Sequence, residues 1–351
     1  MSNLILEKIP EKICIVRLSA IGDTCHTLSV IRQIQDHWPN VKITWIIGKI
    51  EAQLMSGMHD IEFITFDKNR TFSAYKDIYR YLNNKTFDIA LCMHPSIRAN
   101  LLCPIINARI KIGFDRKRAK DFQWLFTSSR IKAKENAHAL EALLSFASAI
   151  GVPSKPLRWD IPLNEAEINF ASKFLSQKQH LVLLSPCTSI RKRNFRNWSI
   201  DNYIEVIKYL ESKNCKVIIT GGKTKLEAEY GKELSKATNC INLISKTSLK
   251  QLAALIDLSN LVICPDSGPA HISTCFNTPV IGLYATSNPE RTGPYYSKEL
   301  TINRYPDAVQ KFLKKSINKI RWGQRVRHPD AMMLITVAEV INKIDKKLFT
   351  V

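Results

Sequence analysis

Residues 261–296 have the sequence LVICPDSGPAHISTCFNTPVIGLYATSNPERTGPYY, and this stretch decides the fold. A short apolar run, residues 261–264, ends at Pro265, and a second apolar run, residues 279–284, follows after an interval long enough for a helix. This order predicts a strand, a turn, a helix and a second strand. Open α/β sheets built from such units bind their ligands beyond the carboxyl ends of the strands.

The start of this helix has the features of an anion site. Asp266 or Ser267 can cap the helix, and Pro269 suits its first turn. The unpaired N–H groups of a first turn, here beginning at Gly268, attract negative charge. We therefore predict a phosphate-bearing ligand at this turn; the alternative is an ordinary capped turn without a ligand. His271 either contributes to such a site or is a satisfied buried histidine.

The first half of the chain alternates between buried-strand runs and helical patterns, as βαβ units do. The predicted strands lie at residues 13–18, 41–47, 61–66 and 88–93. The predicted helices lie at residues 24–37, 71–84 and 137–150. Residues 152–164 carry three prolines and no clear period, which indicates a linker.

The second half restarts the same alternation, with strands predicted at residues 181–184, 215–220 and 241–244. Two such runs predict an α/β protein with two doubly wound, Rossmann-like domains that face one cleft. We place the first domain at residues 1–160 and the second at residues 161–330. Residues 331–351 contain an amphipathic helix, which we expect to pack back on the first domain.

Length and composition set the class of protein. A chain of 351 residues with 45% hydrophobic residues suits two cores of ordinary size. Its apolar runs fall short of the roughly eighteen residues of a membrane span, and its N-terminus lacks a signal-peptide core, so we expect a cytoplasmic protein without a transmembrane segment. The nine cysteines include no CxxC pair, which predicts reduced thiols and no metal site.

The charge balance points to a polyanionic partner. The chain has 51 Lys and Arg against 31 Asp and Glu, a net charge of +20. Nucleic acid, an acidic membrane surface and a phosphorylated glycolipid are the candidate partners. Basic residues cluster at residues 98–134, 191–196 and 304–327. These runs lack the interleaved aromatic residues that stack on bases, so we expect no nucleic-acid partner.

Asp23 is the strongest acid–base candidate in the first half. It follows the predicted strand at residues 13–18, where a turn leads into a helix. A carboxylate in this place is either a helix cap or a catalytic base. His26 lies one helical turn farther on and either orients Asp23 or has a structural role.

Two motifs resemble those of a known enzyme family. SAIGDTCHTL (residues 19–28) and DSGPAHIS, followed by NTPVIGLYATSNPERTGPY, resemble the signatures of the ADP-heptose:lipopolysaccharide heptosyltransferases, glycosyltransferase family nine. The stretch KITWIIGKIEAQL (residues 42–54) looks most like the type I enzymes of that family. The resemblance implies the GT-B architecture and inverting transfer, with Asp23 as general base assisted by His26. It also implies no bound cofactor or metal, and ADP-L-glycero-D-manno-heptose as the donor substrate.

The same resemblance assigns the donor site. Arg196 stands two residues before Trp198, where the family usually has Lys, and Lys192 is the alternative holder of that role. The implied donor-binding residues are Thr188, Ser189, Lys192, Arg196, Gly222, Glu227, Asp266, Ser267, Gly268, Pro269 and His271. In the next loop, Thr286, Arg291 and Gly293 are expected to close the pocket.

The first domain is expected to bind the acceptor, lipid A carrying Kdo, whose carboxylates and phosphates suit a basic wall. The acceptor-binding residues assigned to this wall are Ser19, Gly22, Arg98, Arg116 and Arg118. Such an acceptor places the protein peripherally on the anionic inner face of the inner membrane. The alternatives are a type II enzyme that extends the first heptose, a nucleic-acid-binding protein and a sugar-nucleotide epimerase.

Overall fold

A computed structural model describes residues 8–189 and 193–350 of the chain. The chain forms two compact units, Met1–Pro162 and Leu163–Val351, so the division falls inside the Pro-rich segment that indicated a linker. Within the described residues, no helix combines the length and the apolar character that crossing a bilayer requires.

The first unit is built on a parallel sheet with the strand order β3-β2-β1-β4-β5-β6. The strands are β1 (Lys12–Val16), β2 (Lys42–Gly48), β3 (Ile61–Phe66), β4 (Phe87–Leu91), β5 (Ala108–Gly113) and β6 (Ser129–Arg130). The helices are α1 (Ile21–His37), α2 (Lys49–Met55), α3 (Thr71–Leu82), α4 (Ile97–Asn100) and α5 (Ala139–Ala149). The central strands β1 and β4 are almost wholly buried, which is why they appear in the sequence as continuous apolar runs.

The second unit repeats this plan, with the strand order β12-β11-β10-β7-β8-β9. The strands are β7 (Leu181–Leu184), β8 (Lys216–Ile219), β9 (Ile241–Asn242), β10 (Leu261–Pro265), β11 (Val280–Tyr284) and β12 (Ile302–Asn303). The helices are α6 (Glu165–Ser172), α7 (Ile200–Ser212), α8 (Lys225–Ala237), α9 (Leu249–Leu258), α10 (Gly268–Cys275), α11 (Pro289–Thr292), α12 (Tyr305–Leu313) and α13 (Val337–Leu348).

The segment before the second unit is tied to α1. The Trp159 indole N–H donates to the carbonyl of Cys25 (2.9 Å), and the Gln33 amide donates to the carbonyl of Lys155 (2.6 Å). Trp159 is buried. The Pro-rich segment is therefore part of the first unit's packing.

The C-terminal helix α13 belongs to the second unit, which differs from our expectation that it packs on the first domain. Val340 and Ile344 are fully buried in the core that also contains α7 and β11. The Tyr209 hydroxyl on α7 also donates to the Asp345 carboxylate. An apolar stripe predicts that a helix is buried but does not identify its partner, and here the partners are α7 and β11 of the second unit.

Candidate active site

Each sheet has one topological switch point, where the strand order reverses because later strands are added on the other side of the first strand. This point lies between β1 and β4 in the first sheet and between β7 and β10 in the second. A crevice opens there at the carboxyl ends of the strands. Ser19 and Asp23 follow β1, and Asp266 follows β10. Ser19, Asp23 and Asp266 thus lie at the carboxyl-end edge of their own sheets.

Asp23 lies in the first turn of α1 and is held by a buried arginine. The Arg17 guanidinium forms an ion pair with the Asp23 carboxylate and donates to the carbonyl of Met93 (2.6 Å). The Ala20 N–H approaches the same carboxylate at 3.4 Å, a weak capping contact. The Asp23 side chain remains 37% exposed. Asp23 is therefore fixed in orientation while part of its carboxylate stays accessible.

His94 follows β4 and lies beside this ion pair. Its Nδ1 accepts the Leu18 N–H (3.2 Å), so the neutral ring carries its proton on Nε2. Burial, reinforced by the Arg17 guanidinium, lowers the pKa of His94 to about 4. The imidazole is therefore neutral at physiological pH.

A pocket of ≈ 500 Å³ opens at the carboxyl end of the first sheet. Its lining residues are Leu18, Ser19, Gly48, Lys49, Ile50, Glu51, Gln53, Phe66, Asp67, Lys68, Asn69, His94, Ser96, Ile97 and Arg98. Lys49 pairs with Asp67 (3.2 Å), and no ion pair is present for Lys68 or Arg98 in the part of the chain that the structure describes. The pocket suits a polar ligand with negative groups.

Glu51 places a carboxylate in this pocket. It is buried at the start of α2, and burial raises the pKa of its carboxyl. A Cβ on Gly48 would collide with the Glu51 carboxylate and with the carbonyl of Leu18. The glycine at the end of β2 thus leaves the space that the Glu51 carboxylate occupies.

The residues assigned to the acceptor are only partly brought together. Ser19 and Arg98 line the pocket, whereas Gly22 is buried in the first turn of α1. Arg116 and Arg118 lie in the turn after β5, where the Arg118 guanidinium pairs with the Asp115 carboxylate and also donates to a main-chain carbonyl.

His26 is buried within the first unit. Its ring lies edge-on to His138, with 5.6 Å between the ring centroids. This packing supports the structural alternative for His26 over a role beside Asp23.

In the second unit, Arg196 and Asp266 meet beyond β7 and β10. The Arg196 guanidinium donates to the Asp266 carbonyl (2.7 Å) and carboxylate (3.4 Å), and its Nε donates to Asn194 (2.9 Å). The Arg325 guanidinium lies 3.9 Å from the same carboxylate. Both Arg196 and Asp266 are buried. Two cationic groups therefore converge on one carboxylate at this edge of the sheet.

The loop after β7 is closed by side-chain amides. The Thr188 N–H and hydroxyl donate to the side-chain oxygen (Oδ1) of Asn197 (2.9 and 3.0 Å). The Asn194 amide donates to the Thr188 hydroxyl (2.5 Å) and to the carbonyl of Ser189 (3.0 Å). Lys192 lies outside the described residues. The loop positions Arg196 through Asn194.

The start of α10 differs from a side-chain-capped helix. Ser267 occupies the N-cap position, but its hydroxyl donates back to the carbonyl of Pro265 (3.1 Å) and makes no capping bond. Gly268 begins the helix, Pro269 lies in its first turn, and His271 is buried farther along. The expected place of Pro269 in the first turn is confirmed, and the positive end of the helix dipole lies directly after Asp266.

Glu227 is engaged by its own helix start. Its carboxylate accepts the Gly222 N–H (2.6 Å), the Thr224 N–H (3.2 Å) and the Thr224 hydroxyl (2.6 Å). The bond from the Thr224 N–H belongs to a capping box at α8. A carboxylate has about four acceptor positions, so these three bonds leave room for one further donor.

The loop after β11 carries the other predicted donor contacts. Thr286 is buried and its carbonyl accepts the Val326 N–H (3.0 Å). Arg291 lies in α11, and the Gly293 N–H at its end donates to a main-chain carbonyl of the same turn. The bond to Val326 brings Arg325, from the third basic cluster, into the site.

The family comparison agrees with this geometry. The model of glycosyltransferase family 9 (heptosyltransferase) matches residues 76–320. Lipopolysaccharide core heptosyltransferase OpsX of Haemophilus influenzae is 37% identical over 339 residues, which cover 96% of this chain and 97% of that protein. The chain belongs to glycosyltransferase family 9. It is therefore a glycosyltransferase of the heptosyltransferase family.

Solved structures confirm the predicted α/β fold of GT-B architecture. The family 9 glycosyl transferase of Veillonella parvula matches with a TM-score of 0.78 at 22% identity, covering 96% of this chain and 97% of that chain. The heptosyltransferase WaaC of E. coli, solved with ADP, matches with a TM-score of 0.75 at 18% identity, covering 96% and 99%.

Sequence reasoning did not predict four residues of the candidate site of this family 9 enzyme. Arg17 is a lone charge in a buried strand run, and His94 directly follows the strand next to β1, so both carried a usable signal. Glu51 lies in the short helix α2, and Arg325 lies in a segment without regular structure. Residue spacing does not indicate a site residue in either place.

The lowered pKa of His94 predicts a pH dependence of stability. The unfolded ring titrates near 6.5 and the folded ring near 4, so the unfolded state binds more protons between these values. The stability that neutral His94 contributes is therefore complete above pH 6.5 and is lost as the pH falls toward 4. Wild-type protein should lose about 2 kcal/mol more than His94→Asn between pH 7.5 and pH 4.5, measured by chemical denaturation.

The Asn side chain keeps an acceptor for the Leu18 N–H but does not titrate, which makes it the matched control. Parallel stability curves for the two proteins would contradict the assignment.

Proposed function

We propose that this enzyme transfers L-glycero-D-manno-heptose from ADP-heptose to Kdo of the lipopolysaccharide inner core, with inversion and with Asp23 as the general base. The assignment depends above all on one observation: Asp23 is an oriented, partly exposed carboxylate at the ligand-binding edge of the first sheet. The 37% identity to a lipopolysaccharide core heptosyltransferase over 96% of the chain supports the reaction class.

The proposed reaction is a direct displacement. The Asp23 carboxylate accepts the proton of a Kdo hydroxyl while the hydroxyl oxygen forms a bond to the anomeric carbon of the heptose. The bond from that carbon to the phosphate oxygen breaks on the opposite face, and ADP leaves with the electron pair. Arg17 holds Asp23 in one orientation, so little reorganisation is required before the attack.

The second unit supports the proposed donor site. The Arg196 guanidinium and the start of α10 supply positive charge where the diphosphate departs. An arginine has a forked geometry that matches phosphate oxygens, which supports its use where the family usually has Lys. Asp266, bonded to Arg196, is the proposed contact for heptose hydroxyls. Across residues 8–189 and 193–350, no cluster of three His, Cys, Asp or Glu side chains is arranged to hold a metal ion.

The pocket in the first unit is the proposed acceptor site. Lys68 and Arg98 supply positive charge for Kdo carboxylates. Ser19 lines the same pocket and precedes Asp23 closely in the sequence. The proposed acceptor is a membrane lipid, so the proposal includes peripheral association of the enzyme with the inner face of the inner membrane.

A coupled assay tests the proposed function. Purified protein, ADP-heptose and heptose-free Kdo-lipid A should release ADP, and omission of either substrate should abolish the release. Release without the acceptor would indicate hydrolase or epimerase chemistry instead. An acceptor that already carries one heptose distinguishes the type II alternative, because a type I enzyme should leave it unmodified.

Asp23→Asn should lower kcat by about 10²–10⁴-fold, because the amide cannot accept the proton of the acceptor hydroxyl. The affinity for ADP should stay close to that of the wild type, as measured by isothermal titration calorimetry. Asp36→Asn, at the other end of α1, is the matched control and should retain turnover. Retained turnover in Asp23→Asn, or an equal loss of turnover and ADP affinity, would remove Asp23 from the mechanism.

Arg196→Ala should weaken ADP-heptose binding by about 10–100-fold, because a charge-assisted hydrogen bond is worth about 1.5–3 kcal/mol. Arg196→Lys keeps the charge and should recover most of the affinity. Binding is measured by calorimetry with ADP-heptose and no acceptor. Unchanged affinity in Arg196→Ala would exclude a role in donor binding.

A further inference from the structure

Five large apolar side chains are exposed on one part of the first unit. Phe122, Trp124 and Leu125 are 61%, 41% and 70% exposed, in and next to a 3-10 helix at Gln123–Leu125. Ile97 and Leu101, on and just after α4, are 50% and 43% exposed. We call these five residues the apolar patch. Single exposed apolar residues are ordinary, but a group of this kind is typical of an interaction surface.

The two halves of the apolar patch are bonded to each other. The Asp121 carboxylate accepts the Ile97 N–H (2.9 Å). The Asn100 amide donates to the carbonyls of Lys120 (3.1 Å) and Asp121 (2.8 Å). Because main-chain groups on both sides take part, α4 and residues 120–125 form one continuous surface.

The patch is anchored in the sheet by a buried glutamine. Gln123 is fully buried; its side-chain oxygen accepts the Phe114 N–H (3.0 Å) and its amide donates to the Cys92 carbonyl (2.9 Å). Phe122 has a left-handed backbone (φ 60°), which is unfavourable for an aromatic residue. The chain thus holds Phe122, Trp124 and Leu125 outward on a fixed and strained base.

The chain segment that carries the apolar patch is rich in positive charge. Residues 96–126 contain seven Lys and Arg and two acidic residues. Both acidic groups are engaged: Asp115 pairs with Arg118, and Asp121 accepts the N–H from α4. Within the described residues, the cations of this segment with neither an ion pair nor a hydrogen bond through the charged group include Arg98, Arg116 and Lys120.

We propose that the apolar patch is the surface by which this enzyme docks on an anionic lipid bilayer. Exposed Trp, Phe and Leu suit the boundary between headgroups and acyl chains, and the cations of the same segment suit anionic headgroups. The inference rests on the proposed function, since a lipid-linked acceptor requires an enzyme at the membrane surface. A second copy of this basic chain would bring like charges together, so it would not match the unpaired cations.

Vesicle flotation tests the proposal without any acceptor or donor present. Wild-type protein should bind vesicles of phosphatidylcholine with 30% phosphatidylglycerol, and binding should fall at least tenfold on pure phosphatidylcholine. Phe122→Asn/Leu125→Ser should bind the anionic vesicles at least tenfold more weakly than wild type, since Asn tolerates the left-handed backbone. Equal binding of this variant and wild type, or absence of wild-type binding, would overturn the proposal.

The matched control is Ile168→Ser/Leu175→Ser, which removes two apolar side chains of the second unit that are 43% and 46% exposed. It should bind vesicles like the wild type. An equal loss of binding in this control would overturn the assignment to the apolar patch. Because these vesicles carry no sugar acceptor, binding by a protein that lacks transferase activity would leave the docking surface intact while the proposed function fails.

Two further measurements keep the proposal testable if the double variant does not fold. Lipids brominated in the acyl chain should quench the tryptophan fluorescence of wild type more than that of Trp124→Phe; equal quenching would overturn the insertion of Trp124. Sedimentation without lipid addresses a second copy as occupant. A wild-type dimer that Trp124→Phe or the double variant converts to monomer would overturn lipid docking and assign the patch to self-association.

Discussion

The Arg17 guanidinium connects the three elements on which the candidate active site depends. Arg17 directly follows β1; its guanidinium donates to the carbonyl of Met93 just after β4 and pairs with Asp23 in α1. A buried guanidinium is costly unless it is paired, so its contacts to the Met93 carbonyl and the Asp23 carboxylate hold the two strands and the helix relative to one another. The Asp23 carboxylate is thus oriented by the same guanidinium that links the ends of β1 and β4.

The second unit uses a related arrangement at the equivalent point of its own sheet. Arg196 comes from the loop after β7 and donates to both oxygen-bearing groups of Asp266, directly after β10. In the first unit the arginine serves the carboxylate, whereas in the second the arginine itself is the group proposed to meet the ligand. The strand order is the same in both units, so the difference in chemistry comes from the residues that follow the central strands.

Periodicity predicted the central strands and the placement of Asp23 and Asp266, because buried parallel strands are continuous apolar runs that end in clear turns. It missed β5, whose sequence ARIKIG has two charged residues among six and which lies in the sheet between β4 and β6. It also missed α2, which at seven residues is too short to show a helical period. The partner of α13 and the burial of His26 depend on tertiary packing, which residue spacing does not encode. The donor and acceptor roles rested on the family resemblance and not on the patterns.

Gly48 and Glu51 share one small space at the end of β2. The glycine has no side chain, and the glutamate fills the volume that any other residue at position 48 would claim. Substitution at either position alone leaves a steric conflict or an empty, uncharged recess beside Leu18. We therefore expect the residues at positions 48 and 51 to vary together across the family. Members with a side chain at the end of β2 should have a different group, and a different charge, at the wall of the pocket.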